Sequence, residues 1–441
     1  MDTLIIVAQL ILSLSILVTL HECGHFFPAK WFKTKVEKFY LFFDPWFSLW
    51  KTKKGETEYG VGWLPLGGYV KIAGMIDESF DKAHLDTEPQ PWEFRSKPAW
   101  QRLIIMVGGV TVNFILGIVL FAMIMFVWGE TYLPNESVTY GIHVDSLGQE
   151  IGLREGDKIV SVGDYQFEKF NPARFKIEII INDARSYRVI RDGNELELPI
   201  DERFSSVLSS QANKEYKLFT NRLPYIIDEI REGSPADQAG FEKGDRVVTV
   251  NGEIKEWRKD ILKVVVENAG KEVDLGVIRP GRRDTLNLTP VIGDDGRLGV
   301  YTEVPGLETQ KYSFLESIPK GVERSVDFLS SQLKAFGQMF KGRIKAKESL
   351  GSVISIAKEF GPTWEWQRFW TMTASLSILL AFLNLLPIPG LDGGHVMFLI
   401  YEVVSGKKPS DKVMEYSTIA GFILLVLLMI FALGLDISRL L

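Results

Sequence analysis

Four stretches of the chain are almost free of polar residues and long enough to cross a bilayer, which takes about 20 apolar residues in a helix. They run from Leu4 to Phe27, Leu103 to Trp128, Phe369 to Pro387 and Ile419 to Leu435. Phe114 to Val127 and Gly421 to Leu433 hold no charge at all, a pattern that predicts membrane spans rather than buried helices of a soluble protein. The first stretch reads as a retained span and not a signal peptide. Met1-Asp2 offers no basic n-region, no small-x-small cleavage site follows, and histidines sit inside the apolar run.

Bulk composition hides this clumping: among 441 residues, 46% are hydrophobic and 24% charged, and the mean hydropathy is +0.07. Lys+Arg 50 against Asp+Glu 56 leaves a formal charge of −6, so no nucleic-acid partner is expected. The single cysteine, Cys23, excludes an intramolecular disulfide and a cysteine-based zinc cluster. The 12 Lys and Arg between Lys30 and Arg102, and Lys407, Lys408 and Lys412 before the last span, predict that these two segments are cytoplasmic. Both termini and the stretch from about 129 to 368 are then outside.

That outer stretch repeats itself. Gly152-Leu153-Arg154-Glu155-Gly156-Asp157-Lys158-Ile159-Val160 returns 88 residues later as Gly240-Phe241-Glu242-Lys243-Gly244-Asp245-Arg246-Val247-Val248, which predicts two copies of one domain. Each copy reads as a Gly-Asp turn leading into a strand. With Gly233-Ser234-Pro235-Ala236 ahead of it, the second copy resembles the PDZ domain of bacterial envelope proteases; the first matches in its core alone. From Phe314 to Phe360, apolar residues recur at helical spacing, which fits a helix on the outer membrane face and a solvated linker equally.

The chemistry gathers at the end of the first span, in His21-Glu22-Cys23-Gly24-His25. At about 100° per residue, the two histidines fall about 40° apart on one helix face with Glu22 on the same broad side. Two imidazoles can then hold one zinc while the carboxylate reaches its water. Cys23 points the other way and reads as a small buried packing residue. An ionisable cluster inside a span is a functional site by default. Catalytic zinc takes three protein ligands. Of the remaining histidines, His84 and His143 lie in polar loops, and only His395 is near another span. Its neighbourhood, Asn384-Leu385-Leu386-Pro387-Ile388-Pro389-Gly390-Leu391-Asp392-Gly393-Gly394-His395, breaks the third span at two prolines, as is tolerated where a helix lines a polar cavity. From the residues alone, Asp392 and His395 are equal candidates for the third ligand. Gly390, Gly393 and Gly394 read as turn and close-approach positions.

The helical His-Glu-x-x-His with a distant Asn-x-x-Pro-x-Pro-x-Leu-Asp-Gly resembles the site-2 protease family of intramembrane metalloproteases. The resemblance covers nearly the whole chain. It implies zinc as cofactor, His21, His25 and Asp392 as ligands, Glu22 as the catalytic residue and Asn384 as a substrate-binding group. Leu64 to Lys71 is similar to the family's membrane-associated β-hairpin, which implies substrate contacts at Gly67, Gly68, Tyr69, Val70 and Lys71. The family often has Gly-Phe-Gly where this chain has Phe42-Phe43-Asp44, and Gly-Pro-x-x-Asn where it has Gly109-Val110-Thr111-Val112-Asn113.

The expected fold is a polytopic α-helical membrane protein with four transmembrane helices, two extracytoplasmic PDZ-like α+β domains and the β-hairpin. Its divisions are 1–28, 103–128, 368–401 and 417–437 for the spans, 29–102 and 402–416 in the cytoplasm, 130–220 and 221–306 for the repeats, and 307–367 for an amphipathic linker. The expected activity is endoproteolysis of single-span substrates in a bacterial inner membrane, after a first outer cleavage. By the same resemblance, these substrates are an anti-sigma factor or remnant signal peptides. A membrane-tethered PDZ scaffold and a zinc transporter are the alternatives; the first has no use for Glu22, and the second wants polar residues along several spans.

Overall fold

The computed structural model describes residues 2–65, 67–75, 88–210, 213, 216–342 and 352–440. Leu66, His84 and 343–351, which interrupt the expected hairpin, cytoplasmic segment and linker, lie outside them. The chain falls into two compact units, one of residues 1–130, 311–336 and 349–441, the other of 131–310 and 337–348.

Among the described residues the first unit is built on α1 (Asp2–Trp31), α2 (Ala99–Val127), most of α3 (Phe314–Phe340), α4 (Trp366–Leu385), α5 (Asp392–Ser405) and α6 (Asp411–Leu440), with a short helix at Val353–Glu359. Of these, α1, α2, α4 and α6 are apolar and long enough to span a membrane. Helices α1 and α2 approach closely where a side chain on Gly24 would strike the main chain of Gly108 and lie 2.7 Å from the Cα of Gly109. Only glycine lets two backbones come that close. The third apolar stretch is interrupted. Helix α4 stops at Leu385, Pro387 and Pro389 fall in the gap, Gly390 takes a left-handed φ of 99°, and α5 restarts at Asp392. Proline cannot supply the N–H that a continuing helix needs.

One face of helix α3 is taken up by the bundle. Buried Ser317 and Ser325 flank Gly321, where a Cβ would lie 2.7 Å from Ile118 O and Ala122 N of α2, so a face of small residues seats it on the bundle. Leu315, Ile318, Val322 and Val326 remain exposed on its other side.

A four-stranded sheet is inserted between α1 and α2: β1 (Val36–Leu41), β2 (Phe43–Lys54), β3 (Thr57–Leu64) and β4 (Tyr69–Ile72), in the order β2-β3-β1-β4. Strand β4 is an edge, paired only with β1 in antiparallel register, Tyr69 opposite Tyr40 and Val70 opposite Phe39. Phe42, which stands where the family often has glycine, adopts a φ of 67°, a region that side chains with a Cβ enter at a cost.

The second unit contains two sheets built on one plan. In the first copy, Lys158–Val162 pairs with Ser186–Arg191; in the second, Arg246–Val250 pairs with Leu275–Ile278. Each copy has its own apolar core, around Phe175, Tyr187 and Val189 in one and Tyr225, Val247 and Leu275 in the other. The likeness extends to a buried ion pair. Asp157 accepts from Arg191, which also reaches Gly152 O; Asp245 accepts from Arg279, which reaches Gly240 O. Both aspartates are fully buried.

Candidate metal centre

Helix periodicity turns His21 and His25 toward α2 at the point where α2 presents Gly109. A Cβ there would lie 2.6 Å from His21 Cε1 and against His25 Nε2, so the missing side chain is the space the two rings occupy. The Nε2 atoms are 3.3 Å apart. Asp392, the first residue of α5, completes a triangle, its Oδ2 being 3.3 Å from each of them.

The protons on these atoms can be worked out from their other partners. His25 Nδ1 lies 2.8 Å from Ile105 O. A carbonyl can only accept, so Nδ1 carries the hydrogen and Nε2 of the neutral ring is a lone pair. Asp392 Oδ2 is buried and receives no hydrogen bond. Lone pairs that converge without a proton between them suit a cation. A tetrahedral zinc with bonds of about 2.1 Å spaces its ligand atoms about 3.4 Å apart, close to the triangle observed here. These three residues are also the one histidine–carboxylate cluster among the described residues with ligand atoms within 4.8 Å of one another.

Glu22 is buried beside the triangle, and the main-chain N–H of Val70 faces its carboxylate. Edge strand β4 therefore runs directly past the site. Gly68 continues the approach, since a side chain there would lie 2.6 Å from Tyr40 O and 2.7 Å from Val18 Cγ1 on α1. Gly67, with φ 157°, packs against the ring of Phe43. Tyr69 donates to Asp44 Oδ1 (2.9 Å), and Lys71 lies 3.6 Å from Glu37. The Asn384 amide, on the last turn of α4, is 3.4 Å from His21 Nε2. His395 lies one turn along α5 and is not a member of the triangle. His143 belongs to the second unit. Cys23 is partly rather than fully buried: with Phe27 and Trp31 of α1 and Ile104 and Val107 of α2 it lines an apolar groove between the two helices.

Two contributors escaped the sequence reading. Gly108-Gly109 admits the close helix crossing and the rings; its signal was a glycine pair in a span of bulky residues. Arg102 and Glu402 form a part-buried ion pair at 2.5 Å between α2 and α5, the helix that begins at Asp392. Nothing in the sequence spacing pairs residues 300 positions apart.

The sequence profile of peptidase family M50 matches residues 9–428. A protein from Yersinia pestis named protease RseP is 30% identical over 98% of both chains. The regulator of sigma-E protease RseP of Escherichia coli K12 is 28% identical, and a relative from Pasteurella multocida named as a zinc metalloprotease is 29% identical, each over 98% of both chains.

Proposed function

The chain belongs to peptidase family M50, and on that premise we propose that it is an intramembrane zinc endopeptidase, cleaving within or beside the transmembrane segment of single-span proteins. The observation that carries this reading is the 3.3 Å triangle of two imidazole nitrogens and one carboxylate oxygen beside buried Glu22, in a bundle of apolar helices. His21, His25 and Asp392 would hold the zinc, which when bound would supply Lewis-acid polarisation of a peptide carbonyl and of water near neutral pH. Glu22 takes the proton of the attacking water and returns it to the leaving amine. Asn384 donates to the substrate carbonyl.

A helical substrate hides its carbonyls in its own hydrogen-bond ladder, so it must unwind before attack. The open edge of β4 offers a template for the unwound segment, and the Val70 N–H beside Glu22 supports pairing at that point. The basic residues between α1 and α2 favour an orientation with this sheet in the cytoplasm and with both termini and the two repeats outside. His25 then lies five residues from Lys30, about 8 Å along the helix and near the cytoplasmic face. The repeats are PDZ-like modules that exclude substrates with bulky outer domains, so that cleavage follows an earlier trimming. Its substrates are an anti-sigma factor or remnant signal peptides; two relatives are named as regulators of sigma-E.

The test is Glu22→Gln. A protease loses cleavage of a reconstituted single-span substrate while its zinc content, measured by metal analysis, stays at that of the parent. A scaffold or a zinc transporter would keep working, and unchanged turnover would reject the proposal.

A further inference from the structure

The second unit contains a cleft of about 800 Å³ between its two repeats, and the charge around it is one-sided. Lys217, Arg222, Arg258 and Lys259 line it, against one acidic residue, Asp145. Asp145 is already engaged, each carboxylate oxygen accepting a main-chain N–H at 2.8 Å, from Gly148 and from Leu218. Among the described residues, neither Lys217 nor Arg258 has a carboxylate within ion-pair distance. Arg222 lies over the ring of Trp257, 3.9 Å from its centroid, and its nearest carboxylate, Glu155, is 4.0 Å away. Lys259 touches His143 Nε2, while His143 Nδ1 lies 3.0 Å from Glu155. The carboxylate takes the Nδ1 hydrogen, which leaves Nε2 to accept from the ammonium. Lys259 is therefore solvated by a neutral ring and not neutralised.

Four cations gathered around one cleft repel each other, and an anion entering it relieves that repulsion. The walls are also aromatic: Tyr216, which is exposed, and Trp257 line the same space. A cleft of this size is too large for a lone phosphate or carboxylate and suits a ligand of several linked groups. Its cations sit on either side of the strand Phe219–Asn221, as Lys217 and Arg222, and at the start of the helix Arg258–Glu267, as Arg258 and Lys259. We propose that this cleft binds an acidic, extended peptide segment, whose carboxylates meet the cations while its backbone and apolar atoms lie on the aromatic wall. Such a site gives the outer module a preference for acidic sequence that is separate from any exclusion by bulk. It does not depend on the zinc chemistry, and its test reads binding rather than cleavage.

The full chain in phosphatidylcholine nanodiscs would be titrated with a rhodamine-labelled six-residue peptide containing four glutamates and an amidated C-terminus. Its all-glutamine counterpart is the control, and a free-acid version tests for a terminal carboxylate. The proposal expects saturable binding of the glutamate peptide, at least about tenfold weaker binding of the glutamine peptide, and loss of affinity as salt rises from about 50 to about 300 mM. The double variant Lys217→Gln, Arg258→Gln removes two cations without touching the Arg222–Trp257 contact. It should weaken binding about tenfold with an unchanged unfolding temperature. Equal binding of the glutamine peptide, absence of saturable binding, undiminished binding by the double variant, or binding confined to the free-acid peptide would each overturn it. So would displacement of the peptide by phosphatidylglycerol vesicles with no effect of the substitutions.

Discussion

Asn113 meets the Nδ1 edge of His21 at 3.2 Å, on the side of the ring away from Asp392, just as Ile105 O meets Nδ1 of His25. With the amide nitrogen toward the ring, Asn113 Oδ1 is buried without a partner. With the amide rotated by half a turn, Oδ1 accepts the His21 Nδ1–H instead. Both rings would thereby present Nε2 lone pairs to the same point. The Asn113 backbone is pinned separately, its carbonyl accepting from Ser377 at 2.7 Å.

Replacing Asn113 by Leu should therefore lower zinc affinity by about tenfold to a hundredfold, the usual effect of removing a group that orients a metal-binding histidine. Asn113→Asp keeps an acceptor and should retain most of the affinity. Competition with a chromophoric chelator measures both. A leucine variant that holds zinc as tightly as the parent would show that the amide does not orient the ring.

Gly109 should be equally intolerant, for a steric reason. A methyl group there enters the space of both rings, 2.6 Å from His21 Cε1. The rings cannot retreat, since their far edges are held by Ile105 O and Asn113. Overpacking of this kind costs about 1–3 kcal/mol, so Gly109→Ala should weaken zinc binding by at least about fivefold. Metal content after dialysis against a weak chelator decides it, and parental retention would count against the tight fit.

How much of this was legible beforehand depended on the range of the interaction. The His21–His25 pair is a local, helical relation that i to i+4 spacing reveals, and the spans are visible as uninterrupted apolar runs. The choice between Asp392 and His395 was not local. It turns on where α5 restarts after Pro389 and which of its faces meets α1, which only the packed bundle determines. Cys23 is less buried than expected because periodicity identifies a helix face but not how fully the neighbouring helix fills the space beside it. The ion pair between Arg102 and Glu402 and the ring space at Gly109 are likewise products of packing.

The duplicated ion pair gives a prediction for each repeat. Asp245 is fully buried, accepts two bonds from Arg279 at 2.8 and 2.9 Å, and also caps Glu242 N at 2.9 Å. Asn in its place leaves the guanidinium facing a neutral amide, and breaking a buried pair in this way costs about 3–5 kcal/mol. Asp245→Asn should unfold the second repeat with the first intact, and Asp157→Asn the reverse. Limited proteolysis of the full chain, with cleavage sites mapped by mass spectrometry, distinguishes the two. Cleavage spread evenly over both repeats would refute their independence.

The repeats should also share an alkaline limit. Burial pushes the hydroxyls of Tyr187 and Tyr225, one in each core, from 10.0 up to about 12. Both side chains are at most 2% exposed. An unfolded chain releases these protons near its ordinary value, whereas the folded repeats hold them until about two units higher. The protonated folded state is therefore fully favoured below about pH 10, and its advantage is lost progressively as pH rises toward about 12. Far-UV circular dichroism of the full chain in nanodiscs should show loss of strand signal across that window. Phenylalanine cannot ionise, so the double variant Tyr187→Phe, Tyr225→Phe should move the transition to higher pH. It gives up the Tyr187 bond to Ile151 O at 3.2 Å, which costs about 1 kcal/mol at neutral pH. Coincident alkaline transitions in parent and double variant would show that these two phenols do not set the limit.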